Sequence, residues 1–110
     1  MKKINEADAK FRNPDGTGPK YLFRGPNLDW GVMVLAEGQV MGAHGHDHTE
    51  ETFFFLEGEG EFFVNDQPHP YKPGDAFYVE PKEKHDVAAK TRTRVVFIKH
   101  PYDPDDKITY

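Results

Sequence analysis

Short β-prone stretches, broken at close intervals by glycine, proline, asparagine and aspartate, dominate this 110-residue chain and leave it few folds to choose from. Strand character starts at Tyr21-Leu22-Phe23 and strengthens over Trp30 to Leu35, where aromatic, β-branched and aliphatic side chains cluster. Thr52 to Leu56 runs into the glycine-rich turn Glu57-Gly58-Glu59-Gly60, and Glu61 to Val64 runs into a second turn, Asn65-Asp66-Gln67-Pro68. A third turn, Lys72-Pro73-Gly74-Asp75, precedes Ala76 to Val79; His85 to Ala89 and Arg94 to Lys99 complete the set. No amphipathic helix of useful length interrupts them. Many short strands at even spacing predict an all-β barrel or sandwich. Residues 1–20 are polar and end in Asn13-Pro14-Asp15-Gly16-Thr17-Gly18-Pro19, which reads as a flexible arm ahead of a barrel over 21–100. Residues 101–110, broken by Pro101 and Pro104 and acidic over Asp103 to Asp106, read as a solvated tail.

Metal-ligand side chains stand out within this frame. His44 and His46 are separated by one residue in Val40-Met41-Gly42-Ala43-His44-Gly45-His46, a stretch that reads as extended. Residues i and i+2 of a strand point the same way, whereas on a helix they diverge by about 200°. With Glu51 and His85 they make a mixed nitrogen and oxygen donor set, suited to iron, manganese, nickel, copper or zinc and poorly suited to calcium or magnesium.

The glycines around these ligands carry further information. Gly38, His44, His46, Glu51 and Gly58 occupy every fixed position of G-x5-H-x-H-x3,4-E-x6-G, the first motif of the cupin family, which this chain resembles over roughly residues 30 to 99. The second motif, G-x5-P-x-G-x2-H-x3-N, is met at Gly74 and His85 only; Glu80, Lys82 and Ala89 stand where proline, glycine and asparagine belong, and Pro81 comes one residue late. The resemblance implies a jelly-roll-like double-stranded β-helix and a divalent transition metal on His44, His46, Glu51 and His85. The distance to Gly58 favours Glu51 over its neighbour Glu50.

Composition narrows the partners. A net charge of −5 without a Lys/Arg-rich run excludes the concentrated basic surface that nucleic acid requires. No apolar run, Phe53 to Leu56 included, comes near the roughly 20 residues that span a bilayer. Polar residues after Met1-Lys2-Lys3 do not read as a signal peptide, so a cytoplasmic location is expected. There are no cysteines for disulfides or thiolate ligation.

Strand parity sketches the site. If Glu51 points inward, Phe53 and Phe55 share its face as an apolar pocket wall, with Tyr78 added from the Ala76 to Val79 strand; Phe54 and Leu56 then point outward, which favours burial in a homodimer. Cupins commonly pair through such sheets. His48 reads as a rim residue, since a straight strand places it about 13 Å from His44. His69 reads as a surface residue in a turn, and His100 as surface or pocket depending on register. His48, Tyr78 and Glu50 are the nearby acid or base groups, and Lys82 and Lys84 the nearby cations. Three histidines and a carboxylate leave open positions on a six-coordinate ion, the mark of a catalytic site. The favoured reading is a dioxygenase-like metalloenzyme acting on a small oxygen-chelating molecule. Alternatives are a metabolite-binding or sensing module without catalysis, and a cupin of the sugar-phosphate isomerase or decarboxylase type.

Overall fold

A computed structural model describes residues 1–110. After a 3-10 turn at Glu6–Asp8 come ten strands: β1 (Gly18–Arg24), β2 (Asp29–Leu35), β3 (His44–Gly45), β4 (Glu50–Glu57), β5 (Gly60–Val64), β6 (Gln67–Tyr71), β7 (Ala76–Val79), β8 (His85–Ala89), β9 (Thr93–His100) and β10 (Ile108–Thr109). They form two five-stranded antiparallel sheets, ordered β1-β2-β9-β4-β7 and β10-β3-β8-β5-β6. This is the double-stranded β-helix. No helix is long and apolar enough to cross a membrane.

Alternation along the strands builds the interior. In the first sheet, β2, β9 and β4 lie side by side, and their register aligns three inward rows: Asp29, Lys99 and Glu51; Gly31, Phe97 and Phe53; Met33, Val95 and Phe55. The two inner rows are apolar and meet Phe62, Tyr71, Val87 and Ala89 from the second sheet. The outer row is charged. Any side chain at Gly31 would collide with the Phe97 ring and the Lys20 carbonyl, so glycine there is what lets Phe97 lie flat in the core. Gly58 turns β4 toward β5 with φ +95, against the backbone of Arg92 and Thr93.

Three expectations change. The turn expected over Asn65 to Pro68 contracts to Asn65 and Asp66, at φ 50 and 67, which connect β5 to β6 as a two-residue hairpin. His69 therefore sits in a strand, still exposed. Prolines 68 and 70 are tolerated because β6 is the edge of its sheet, where a missing N–H breaks no ladder. The segment expected as a flexible arm lies on its own barrel: β1 begins at Gly18, Glu6 pairs with Lys20 at 3.7 Å and with Arg94, and the Lys20 ammonium sits 4.3 Å over the Phe11 ring. The tail read as solvated also folds back. Ile108–Thr109 pairs with His44–Gly45, and Asp106 is buried.

Candidate metal centre

The two sheets contribute unequally to one point at the end of the barrel. His44 in β3 pairs directly with His85 at the start of β8, His46 follows β3, and Glu51 comes from β4 of the facing sheet. One ligand atom from each of the four residues lies within 4.8 Å of all the others. Oε1 of Glu51 is 3.8 Å from Nε2 of His44, 3.2 Å from that of His46 and 3.1 Å from that of His85. The His85 ring is backed by Phe53 at 5.6 Å between centroids and lies parallel to Phe62 at 6.4 Å.

The other ring nitrogens fix the chemistry. Nδ1 of His44, His46 and His85 donates to the carbonyl oxygens of Gly42, Asp106 and Glu83, at 3.0, 2.5 and 3.0 Å. A proton held on each Nδ1 leaves the Nε2 lone pair facing the centre, which is the tautomer a metal ligand needs. Without a cation, each Nε2 would need its own proton to meet the single Glu51 oxygen, crowding three imidazolium charges into a buried space. One divalent ion satisfies all four donors, so the residues present fit a transition metal.

Electrostatics follow the same geometry. Burial acts to raise the Glu51 pKa, yet the hydrogen bonds from His44, His46 and His85 outweigh it and hold the carboxyl well below its ordinary range. Burial likewise opposes charge on His46, but its bonds to Glu51 and to the Asp106 carbonyl prevail and raise its pKa.

Not every expected residue joins this centre. A cavity of about 540 Å³ reaches His44, His46, Glu51 and Phe53, while His85 borders a separate, smaller cavity with Ala43, Phe63 and Lys84. Phe55 shares the inward parity of Phe53 but sits one row deeper, fully buried and stacked on Tyr71 at 4.0 Å, so it forms core rather than pocket wall. Tyr78 is on the outward face: it is 58% exposed, and its hydroxyl donates to Glu50 at 2.5 Å. Glu50 thereby points away from the cluster, with His100 on its other oxygen at 3.8 Å. His48 turns to the tail, 2.9 Å from Asp103 and 3.2 Å from Asp106. Lys84 is engaged by Asp66 at 2.8 Å and Lys82 is exposed, so the cations facing the cavity are instead Lys99, Arg24, Arg12 and Lys107. Inward parity along Val95, Phe97 and Lys99 carried a signal for Lys99; nothing local marked Asp106.

The cupin-domain family model matches residues 31–99. The chain is a cupin. Over 66 residues it is 32% identical to the oxalate-binding protein of Thermotoga maritima, covering 60% of this chain and 54% of that one; the chain spans about half the length of the curated relatives it matches. Among solved structures, a double-stranded β-helix protein of Klebsiella pneumoniae superposes with a TM-score of 0.83 at 18% identity, covering 100% of this cupin and 98% of that chain. An RmlC-like cupin of Shewanella frigidimarina gives 0.81 at 20% identity, with 96% and 95% covered. Both likenesses establish the fold alone.

Proposed function

We propose that this cupin holds a divalent transition metal through Nε2 of His44, His46 and His85 and a carboxylate oxygen of Glu51, and that it acts on a small organic molecule chelating through two oxygens, with dioxygenase-like chemistry. The observation that carries the reading is the set of three Nδ1-anchored imidazoles aimed at one carboxylate oxygen beside a cavity. A metal bound there supplies a Lewis acid with open positions and, if redox-active, a centre for dioxygen chemistry. The chain's own part is to shape the space beside it. Phe53 and Phe97 offer an apolar wall for the hydrocarbon portion of a ligand, and a cavity of about 540 Å³ admits a compact molecule.

A second reading, binding without turnover, is favoured by the likeness to the oxalate-binding protein, since oxalate is itself a two-oxygen chelator. Elemental analysis of protein purified without chelator, compared with His44→Ala and His85→Ala, tests the metal; both variants are expected to lose it, and His48→Ala to keep it. Iron-, manganese- and nickel-loaded samples are then offered diketones, catechols and keto acids with an oxygen electrode and a binding assay. Oxygen uptake matched by product supports the enzyme. Saturable binding without uptake favours the second reading, and turnover of a sugar phosphate with neither overturns both.

A further inference from the structure

Resting on the chelate reading above, we infer that Lys99 selects the ligand: the cavity takes a small acid whose one end chelates at the metal centre and whose other end carries a free carboxylate paired with the Lys99 ammonium. The placement comes from the charged row of the first sheet. Lys99 on β9 lies between Asp29 on β2 and Glu51 on β4, all three on the inward face. The Lys99 side chain is only 18% exposed and lines the same cavity as His44, His46 and Glu51, so the ammonium faces the space beside the ligand cluster rather than the barrel surface.

Its partners leave it with capacity to spare. Nζ donates to the Tyr21 hydroxyl at 3.1 Å and approaches Asp29 only to 3.7 Å. An ammonium has three donors, and one is used. Asp29 is 2% exposed and is faced by a second cation, Arg24, at 3.6 Å; one of its oxygens has no hydrogen-bond partner. Two cations around one carboxylate leave this wall with one excess positive charge. Tyr21 fixes both, with Arg24 stacked 4.1 Å over its ring and the ring set edge-on against Phe97 at 5.3 Å. The acids at the cavity mouth, Asp103 and Asp106, both face His48 and are matched in charge by Arg12 and Lys107, which line the same cavity. A divalent ion on Glu51 adds a second unit of positive charge, so a dianion balances the cavity and a neutral chelator does not.

Lactate and 2-hydroxysuccinate share one chelating end and differ in the distal carboxylate, which makes them the probes. Calorimetric titration of manganese-loaded protein is expected to show 2-hydroxysuccinate binding at least about 10-fold tighter than lactate, the worth of one charge-assisted hydrogen bond. Lys99→Met should abolish that preference while bound manganese and lactate affinity stay within about twofold; Lys99→Arg, which keeps the charge, should retain most of it. No preference in the wild type, or one that survives Lys99→Met, overturns the inference and leaves the metal reading standing. Failure of the loaded wild type to bind either acid brings down the chelate reading, and the inference with it.

Discussion

The main-chain carbonyl of Asp106 accepts a hydrogen bond from Nδ1 of His46 at 2.5 Å, across 60 positions of sequence. The carboxylate of the same residue accepts from the backbone N–H groups of Asp47, His48 and Thr49 at 2.6, 3.0 and 2.9 Å. Burial alone would raise the Asp106 pKa, but these bonds outweigh it and hold the group far below the ordinary carboxylate range. One residue of the C-terminal segment therefore orients a ligand ring and ties down the loop between His46 and Glu51.

Asp106→Ala keeps the carbonyl that holds His46 but removes the carboxylate that ties down Asp47 to Thr49, so it should weaken metal binding by about 10-fold, at the low end of what losing support around a metal ligand costs. A competition titration with a metal-sensitive dye measures it. Affinity within twofold of wild type would show that the loop holds its shape unaided.

Metal-free protein should have an unusual pH profile. The raised pKa of His46 contributes stability that is complete below the ordinary value of 6.5 and is lost as pH rises through the folded-state value. The lowered pKa of Glu51 contributes stability that is present above 4.5 and is lost as pH falls through its depressed value. Both operate between 4.5 and 6.5, so the melting temperature of metal-free protein should fall from about pH 6 to about pH 8. Metal requires neutral imidazole, so its stabilising effect should grow over the same interval. A metal-free melting temperature that climbs between those pH values contradicts this account.

Phe55→Ala should act on stability and spare the site. The side chain is fully buried among Phe62, Tyr71 and Phe77, and its truncation should cost about 3 to 5 kcal/mol in urea unfolding. Metal content of the folded fraction should be unchanged.

The outward face of β4 leaves Phe54 45% and Leu56 42% exposed, next to Val96 on β9. We propose that a second copy of the chain covers this surface. Sedimentation velocity should show a dimer that Phe54→Asp shifts toward monomer. A wild-type monomer at high concentration would refute it.

Much of this protein is legible in its sequence because the relevant signals are local. Alternation fixes which residues of β4 face inward, and it places Glu51, Phe53 and Phe55 on one side and Phe54 and Leu56 on the other. The spacing of His44 and His46 implies a shared direction, and β7 and β8 run over Ala76–Val79 and His85–Ala89 as their turns predict. Parity says which way a side chain points but not how deep it lies. That is why Phe55 reads as pocket wall and turns out to be core.

The sequence by itself determined the all-β class, the inward faces of the strands and the grouping of His44, His46 and Glu51, because period-2 alternation and short ligand spacing are properties of neighbouring residues; His85, 34 positions beyond Glu51, joined them through the resemblance to the cupin motifs. Only the tertiary structure decided what surrounds that centre. Lys99 comes to lie between Asp29 and Glu51 because β9 pairs with β2 on one side and β4 on the other, and strand order is set by packing the whole sheet. Asp106 reaches His46 because the chain after β9 returns to pair with β3, a long-range contact whose energy comes from burial and hydrogen bonds between distant segments.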